Sequence, residues 1–474
     1  MTAATASTTS ATTPSDTPAP RTRYAVLGTG HRAGMYVAAL TGAHAADGEL
    51  VAWVEPNPVR AAYHESTVAP VLGGPARPVY GPDDLERAIA EQHLDRVIVT
   101  SPDRTHADLV CRALRAGADV VVEKPLAATA EQARRIAEAV RETGRDLTMT
   151  FNYRYAPRNA ALREVVASGE IGTVLSVHFE WALDTVHGAD YFRRWHRDKD
   201  VSGGLLVHKS SHHFDLVSWW IDGVPRRVTA AGGRRFYGAD GAHARSGETS
   251  SAEQGLRERG IEPWGIDLEA DPRLAALYGP EARAHDGYVR DRDVFDPDIE
   301  AEDTLAVLVE YESGAVMTYS LVAHSPWEGY RVTVNGTKGR AELEVVERGS
   351  VEFDDAGRSV LDPSATPEAF AGDAVRPHVE RLVVQKHWER AQEREIPAGI
   401  GGHGGGDAYL LADVFTGPPA HDPLGRAAGY LDGIRASSVG YAANASLATG
   451  QPVTVADLDL GVDLSTTTVT ERTA

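Results

Sequence analysis

The sequence predicts an α/β protein: a doubly wound parallel sheet towards the N-terminus, then a second α/β domain around a mostly antiparallel open sheet. Three features predict this. Between 22 and 150, short apolar runs alternate with helical patterns, an order that gives a parallel sheet with helices on both faces. The first run ends in a glycine turn, Gly28-Thr-Gly30-His31-Arg32-Ala33, directly before a helical stretch. After 150, apolar runs follow one another with few helices between them, the pattern of antiparallel strands.

Tyr24–Leu27 reads as the first strand, followed by a helix over 32–41 and a second strand, Leu50–Val54, ending at Glu55. Further strands are expected at 96–100, 119–122 and 147–150, with helices near 83–92, 105–116 and 129–143. Such a domain, 22–150, is of the Rossmann type, and ligands bind outside the carboxyl ends of its strands. Gly28, Glu55, Ser101-Pro102 and Glu123-Lys124-Pro125 all fall there. In the second domain, 151–460, a helix is expected over 156–168, a strand over 174–182 and a helix over 205–220. Strands follow at 227–230, 304–311, 315–322, 330–334 and 341–346. Residues 238–300, polar and rich in Gly and Asp, read as an insertion over the site or over a partner surface. Helices return at 379–393, 408–415 and, the longest, 425–449.

The 474 residues suffice for two or three domains, and 42% hydrophobic with 24% charged residues is ordinary for a globular chain. A net charge of -21 argues against nucleic acid and anionic membrane surfaces as partners. No apolar run reaches the roughly 18 residues of a membrane span. Residues 1–21, mostly Ala, Thr, Ser and Pro, lack the basic start and apolar core of a leader and are expected to be a disordered tail. A second tail is expected at 461–474, and the cytoplasm is the expected location. The lone Cys111 falls in a helical pattern and reads as an inert packed thiol.

Gly28 allows a tight turn and Gly30 lets backbone approach a pyrophosphate at the helix N-terminus. Glu55, 27 residues after Gly28, is placed to accept the adenosine ribose hydroxyls, which favours NAD; nearby Arg60, read as a surface residue, leaves NADP open. The candidate cofactor set is Gly28, Gly30, His31, Arg32, Glu55, Ser101, Pro102, His106, Glu123 and Lys124. At the end of an apolar strand, Lys124 points towards the nicotinamide and can polarise a substrate oxygen during hydride transfer. Further on, Gly203-Gly-Leu-Leu-Val-His208-Lys209-Ser-Ser-His212-His213-Phe-Asp215 supplies proton-transfer groups. On a helix His208 and His212 share a face. This His-x-x-x-His spacing can hold zinc, but no third ligand lies nearby in sequence, and no metal is expected.

Together, Gly28-Thr-Gly-His-Arg-Ala-Gly34, Thr100-Ser-Pro-Asp-Arg-Thr-His106, Ala116–Leu126 around Glu123-Lys-Pro, Phe151-Asn-Tyr-Arg154, Gly169-Glu-Ile-Gly172, the Gly203–Asp215 block, Gly336-Thr-Lys-Gly339 and Asp432-Gly433 resemble the glucose–fructose oxidoreductase, inositol dehydrogenase and rhizopine-catabolism (Gfo/Idh/MocA) family. The resemblance runs over nearly all of 23–460. It implies an NAD(P) cofactor, a small carbohydrate or polyol substrate, Lys124 in the active site beside a cis Pro125, and an open sheet that forms the interface of a homo-oligomer, dimer or tetramer. On the family's pattern His212 matches the catalytic histidine, while His208 stands where an aspartate is usual. His208 then binds substrate or tunes His212, and His213 packs beside Trp219 and Trp220. Asn152, Arg154, Trp195, Arg197, Lys209 and His403 are candidates for holding substrate, Trp195 by stacking and His403 from a glycine-rich loop whose Asp407 reads as a helix N-cap. The leading expectation is hydride transfer between nicotinamide and a hydroxyl carbon of a sugar, sugar derivative or cyclitol. A glycoside hydrolase using transient C3 oxidation and elimination, and a non-catalytic NAD- or sugar-binding regulator, are the alternatives.

Overall fold

The computed structural model describes residues 21–465 except 248, 356, 366–373 and 400; most of both expected tails lies outside the described residues. The first six strands, β1 (Thr22–Leu27), β2 (Gly48–Val54), β3 (Val79–Tyr80), β4 (Arg96–Val99), β5 (Asp119–Val122) and β6 (Leu147–Met149), are mutually parallel in the order β3-β2-β1-β4-β5-β6. That order reverses direction between β1 and β4, and the crevice there is where such sheets bind ligands. The strands are apolar along both faces, as a sheet covered on both sides requires. A helix not anticipated from the sequence, Pro58–Leu72, links β2 to β3. Asn57 caps its N-terminus by accepting from the Val59 N–H, and Pro58 occupies the first turn.

The second sheet contains β7 (Val174–Asp184), β8 (Pro225–Gly233), β9 (Thr304–Tyr311), β10 (Val316–Ser325), β11 (Glu328–Gly336), β12 (Gly339–Arg348), β13 (Val379–Lys386) and β14 (Gln392–Arg394). Two short late strands complete the architecture: β15 (Ala428–Gly429) pairs antiparallel with β6, and β16 (Val453–Thr454) pairs antiparallel with β8. The nine strands run β14-β13-β12-β11-β7-β10-β9-β8-β16, all antiparallel except β10 with β7. One side of this sheet is covered by the helix Ser210–Ile221 and by the long helix Tyr430–Thr449, which pack on each other. Strand burial alternates, as in β9 and β10, because one sheet face meets these helices and the other does not.

Two expectations are corrected. Residues 379–393 form β13 and β14 rather than a helix: Leu382 and Val384 are buried at a period of two, and β12 supplies a full ladder of partners. The long helix begins at Tyr430 rather than 425, because Ala428 and Gly429 are drawn into β15. Among its described residues the insertion at 238–300 holds four short helices, Ala242–Ser246, Ser251–Glu258, Pro272–Tyr278 and Pro280–Asp286. No described helix is long and apolar enough to cross a membrane. Cys111 is buried and its thiol is pushed up by that burial.

Candidate active site

Gly28 closes β1 with φ 87°, and a Cβ there would stand 2.7 Å from Ser101 Cα. Only glycine lets the β1 and β4 loops touch at the crevice. A Cβ at Gly30 would meet only the Tyr278 hydroxyl, at 3.3 Å. The helix Ala33–Thr41 begins immediately afterwards. A narrow glycine turn, the start of a helix and a carboxylate at the end of β2 fit a dinucleotide. That carboxylate, Glu55, is 6% exposed. Its Oε2 accepts from the Thr29 N–H (2.6 Å) and hydroxyl (3.1 Å), and its Oε1 from the Asn57 N–H (2.9 Å).

The insertion covers this end of the crevice. The His31 N–H donates to the Tyr278 hydroxyl at 2.9 Å, while Asn57 Nδ2 donates to the Ala282 carbonyl and Asp286. Arg60 is not a surface residue: it is buried under the insertion, donating to the Leu277 carbonyl and pairing with Asp286. Across the crevice, Pro102 precedes the helix Asp103–Arg115. His106 places Nδ1 2.9 Å from the Pro125 carbonyl and Nε2 2.9 Å from the Ser101 carbonyl, tying the β4 and β5 loops together. Buried Glu123 accepts from Arg32 Nε (2.6 Å) and the Tyr36 hydroxyl (2.8 Å). The side chains of His106, Glu123 and Arg32 are therefore engaged in holding the strand-end loops.

Lys124 follows β5 and its bond to Pro125 is cis. Its Nζ lies 3.2 Å from His208 Nε2 and 3.3 Å from the His208 carbonyl. His208 Nδ1 in turn lies 2.7 Å from Asp103 Oδ2. A carboxylate on Nδ1 fixes the tautomer in which Nε2 accepts, so Lys124 donates to it. Burial drives the Lys124 ammonium down to about 8, against the opposing pull of Asp103. Burial also raises the Asp103 carboxyl, and burial with the Lys124 charge holds His208 far below its usual range. His208 thus acts on Lys124; no hydrogen bond joins it to His212.

Two helices, Leu205–His208 and Ser210–Ile221, meet at Lys209 and deliver this block. His212 stacks on Tyr153, ring centroids 4.5 Å apart, with Phe151 edge-on at 5.9 Å. Its Nδ1 is sealed from solvent and has no hydrogen-bond partner. Burial, followed by the charges of Lys124 and Lys209, keeps His212 well below an ordinary histidine. Lys209 lies over the Tyr153 and Trp181 rings, at 5.8 and 5.1 Å. His213 packs as expected of it, but against Trp181, with Nδ1 on the Tyr319 hydroxyl, rather than beside Trp219 and Trp220. His403 comes within 6.0 Å of Tyr153. Asp407 is not the N-cap, a position held by Gly405; it accepts from Asn152 Nδ2 and faces His403 Nδ1, both at 2.7 Å. Trp195 stacks on His196 and meets His208 edge-on.

Two arginines expected at the substrate are committed elsewhere. Arg197 pairs with Asp296 and Asp298 of the insertion. Arg154, 4% exposed, forms a two-pronged pair with Asp215 (2.6 and 2.8 Å) and reaches Asp432 at 3.1 Å. Because removing it takes the two-pronged partner from buried Asp215 and one of the partners of Asp432, which keeps the Gly429 N–H and Arg435, Arg154→Met should cost about 3–5 kcal/mol in urea unfolding. A loss below about 1 kcal/mol would show that the carboxylates find other partners.

The geometry now has a frame in known proteins. Residues 22–151 match the oxidoreductase family's NAD-binding Rossmann fold, and residues 163–455 match its C-terminal alpha/beta domain. This chain belongs to the Gfo/Idh/MocA oxidoreductase family. It is 35% identical over 393 residues to YteT of Bacillus subtilis (strain 168), named as an oxidoreductase, covering 80% of this chain and 86% of YteT. An inositol 2-dehydrogenase of Rhizobium meliloti (strain 1021) is 31% identical over 208 residues, 44% of this chain and 57% of that one. Among solved structures, aldose–aldose oxidoreductase from Caulobacter crescentus, complexed with glycerol, superposes with a TM-score of 0.58 at 19% identity, covering 92% of this chain and 100% of that one. The WlbA dehydrogenase from Bordetella pertussis, in complex with NADH and UDP-GlcNAcA, gives 0.58 at 16% identity, covering 92% and 99%. At these identities the superpositions speak for the fold alone.

In this Gfo/Idh/MocA chain, sequence reasoning passed over Asp103, Tyr153 and Tyr278. Asp103 stands inside the Thr100–His106 motif, and a buried acid at a helix start is a readable signal. Tyr278 comes from an insertion with weak periodicity and offered none.

Proposed function

We propose that this oxidoreductase acts on a hydroxyl-bearing carbon of a sugar, sugar derivative or cyclitol. The observation that carries the reading is the pairing of one donor with one acceptor: the Lys124 ammonium held by His208, and neutral His212 with its Nδ1 sealed away. A bound nicotinamide supplies the hydride acceptor in oxidation and the donor in reduction. Gly28, Gly30 and the helix after them would hold its pyrophosphate, with Glu55 near the adenosine ribose. Lys124 Nζ donates to the reacting oxygen and stabilises charge there. His212 takes the hydroxyl proton at Nε2, the ring nitrogen not sealed in, and returns it in reduction. Asp103 and His208 hold Lys124 in place.

Purified protein with NAD and a panel of sugars, cyclitols and aryl glycosides tests the reading, following NADH absorbance and aglycone release together. NADH in proportion to substrate is the expected result; neither signal with any panel member would sink it. A second reading has its own support: the Tyr278 hydroxyl and the Arg60–Asp286 pair close the insertion over the glycine turn, as suits a cofactor kept through turnover. A glycoside hydrolase with transient C3 oxidation would then release aglycone with no net NADH.

Glu55→Ala should lower the preference for NAD over NADP, read as the ratio of kcat/KM for the two. An unchanged ratio would remove Glu55 from cofactor selection. The outer face of the nine-stranded sheet exposes Leu308 and Val316, and we assign it to a second copy of the chain. Sedimentation as a monomer would exclude that.

A further inference from the structure

Beyond Lys124, three side chains converge with their second polar atoms already tied. His187 Nδ1 lies 2.6 Å from Glu328 Oε1, and His403 Nδ1 2.7 Å from Asp407 Oδ2. Asp362 Oδ1 accepts from the Ser364 N–H (3.0 Å) and hydroxyl (2.6 Å) and the Ala365 N–H (3.3 Å). This leaves His187 Nε2, Asp362 Oδ2 and His403 Nε2. Asp362 Oδ2 stands 3.9 Å from His187 Nε2 and 3.8 Å from His403 Nε2. A carboxylate on Nδ1 turns each Nε2 into a lone pair, the arrangement that orients metal-bound histidines. Asp362 Oδ2 thus faces two imidazole nitrogens, with the Tyr191 hydroxyl 3.3 Å from His187 Nε2 and the Lys209 ammonium acting on Asp362 from nearby.

We propose that His187, Asp362 and His403 bind one divalent transition-metal ion, with zinc-like ligand preference, beside His212. Neighbouring ligands of a tetrahedral zinc stand about 3.4 Å apart, so each imidazole has to close on Asp362 by about half an ångström, and the two imidazoles on each other by more. Asp362, Glu328 and Asp407 stand against Lys209, and Glu328 and Asp362 raise His187 against the effect of burial, so an incoming cation would displace the His187 proton. Glu328 and Asp407 set the rings, and Glu328 also offers an oxygen within 4.8 Å of the His187 and Asp362 ligand atoms. The ligands come from the β7–helix junction and two late loops, 175 and 41 residues apart, so no local spacing announces them. Two imidazoles make magnesium or calcium poor occupants. Tyr153 connects the cluster to His212, 6.0 Å from His403 and 4.5 Å from His212 by ring centroids. Resting on the function proposed above, the open positions of the ion would chelate a vicinal diol of the substrate next to the proton acceptor.

The test uses the full chain, freed of metal by a chelator and titrated with Co²⁺ or Zn²⁺ alone. Cobalt should give a visible absorption band at one equivalent, bleached by zinc. Affinity should fall at least about 100-fold in His187→Ala and Asp362→Asn, and about 10–100-fold in Glu328→Gln. NAD binding, measured in the same samples, should persist and so report the fold; His403→Ala, in a loop outside the sheet, is the variant that disturbs packing least. Absence of cobalt or zinc binding at about 1 mM, or binding unchanged in Asp362→Asn and His403→Ala, would overturn the site and leave the redox reading standing. Protonated imidazoles paired with Asp362 would then explain the cluster. Metal bound with no turnover of any polyol or glycoside would uphold the site and count against the redox reading. NADH formation unaffected by chelation would remove the ion from substrate binding.

Discussion

Replacing Lys124 by methionine should lower kcat about 10³-fold while the NAD dissociation constant stays within about threefold. Methionine keeps the length of the stem but removes the ammonium held against His208 at the end of β5. The same lysine sets the alkaline side of the pH profile. Burial lowers its ammonium to about 8 and Asp103 opposes that fall. If the charged form donates to substrate, activity declines as pH rises through about 8. Asp103→Asn removes the opposing carboxylate, so the decline should move to lower pH, a displacement a purely structural role for Asp103 would not produce. Activity rising through that range would make Lys124 the base and His212 the donor. Wild-type-like kcat in Lys124→Met would remove Lys124 from the reaction altogether.

Replacing His212 by alanine should lower kcat about 10²–10⁴-fold with little change in NAD affinity. His212 enters the site as a neutral ring, because burial and the charges of Lys124 and Lys209 resist a second proton. It therefore stays a competent base well below the ordinary histidine value near 6.5. The wild-type profile should lack an acid limb at that value and decline only at lower pH. An acid limb near 6.5 that disappears in His212→Ala would show His212 to be solvated in the working enzyme. Near-normal turnover in the variant would pass the proton to another group, and His403 would be the next to replace.

The parallel sheet and its binding end were legible because short apolar runs, a glycine turn and strand-end residues obey local rules. Gly28, Ser101 and Lys124 lie where those rules put them. The helix Pro58–Leu72 is equally local, announced by Asn57-Pro58. The error at 379–393 has a different origin. Val379-Glu-Arg-Leu-Val-Val-Gln-Lys satisfies a helical spacing loosely, and only the free edge of β12, far away in sequence, decides for a strand. Side-chain roles were harder still. Arg154 and Arg197 look like substrate hands until the acids that occupy them, 61 and about 100 residues downstream, are in view. His208 could be placed on the face of His212 by helical periodicity, but its partner Asp103 lies 105 residues earlier.

The pairing of β15 with β6 bears on how the chain is made. When residue 150 leaves the ribosome, the parallel sheet has all six of its parallel strands, with β3 at one margin and Leu147–Met149 open at the other. The segment that closes that margin, Ala428–Gly429, emerges nearly 280 residues later. Throughout that interval the nascent protein carries unpaired backbone of the kind that recruits other strands. At this margin the exposure therefore belongs to synthesis, and a truncation before 428 would make it permanent.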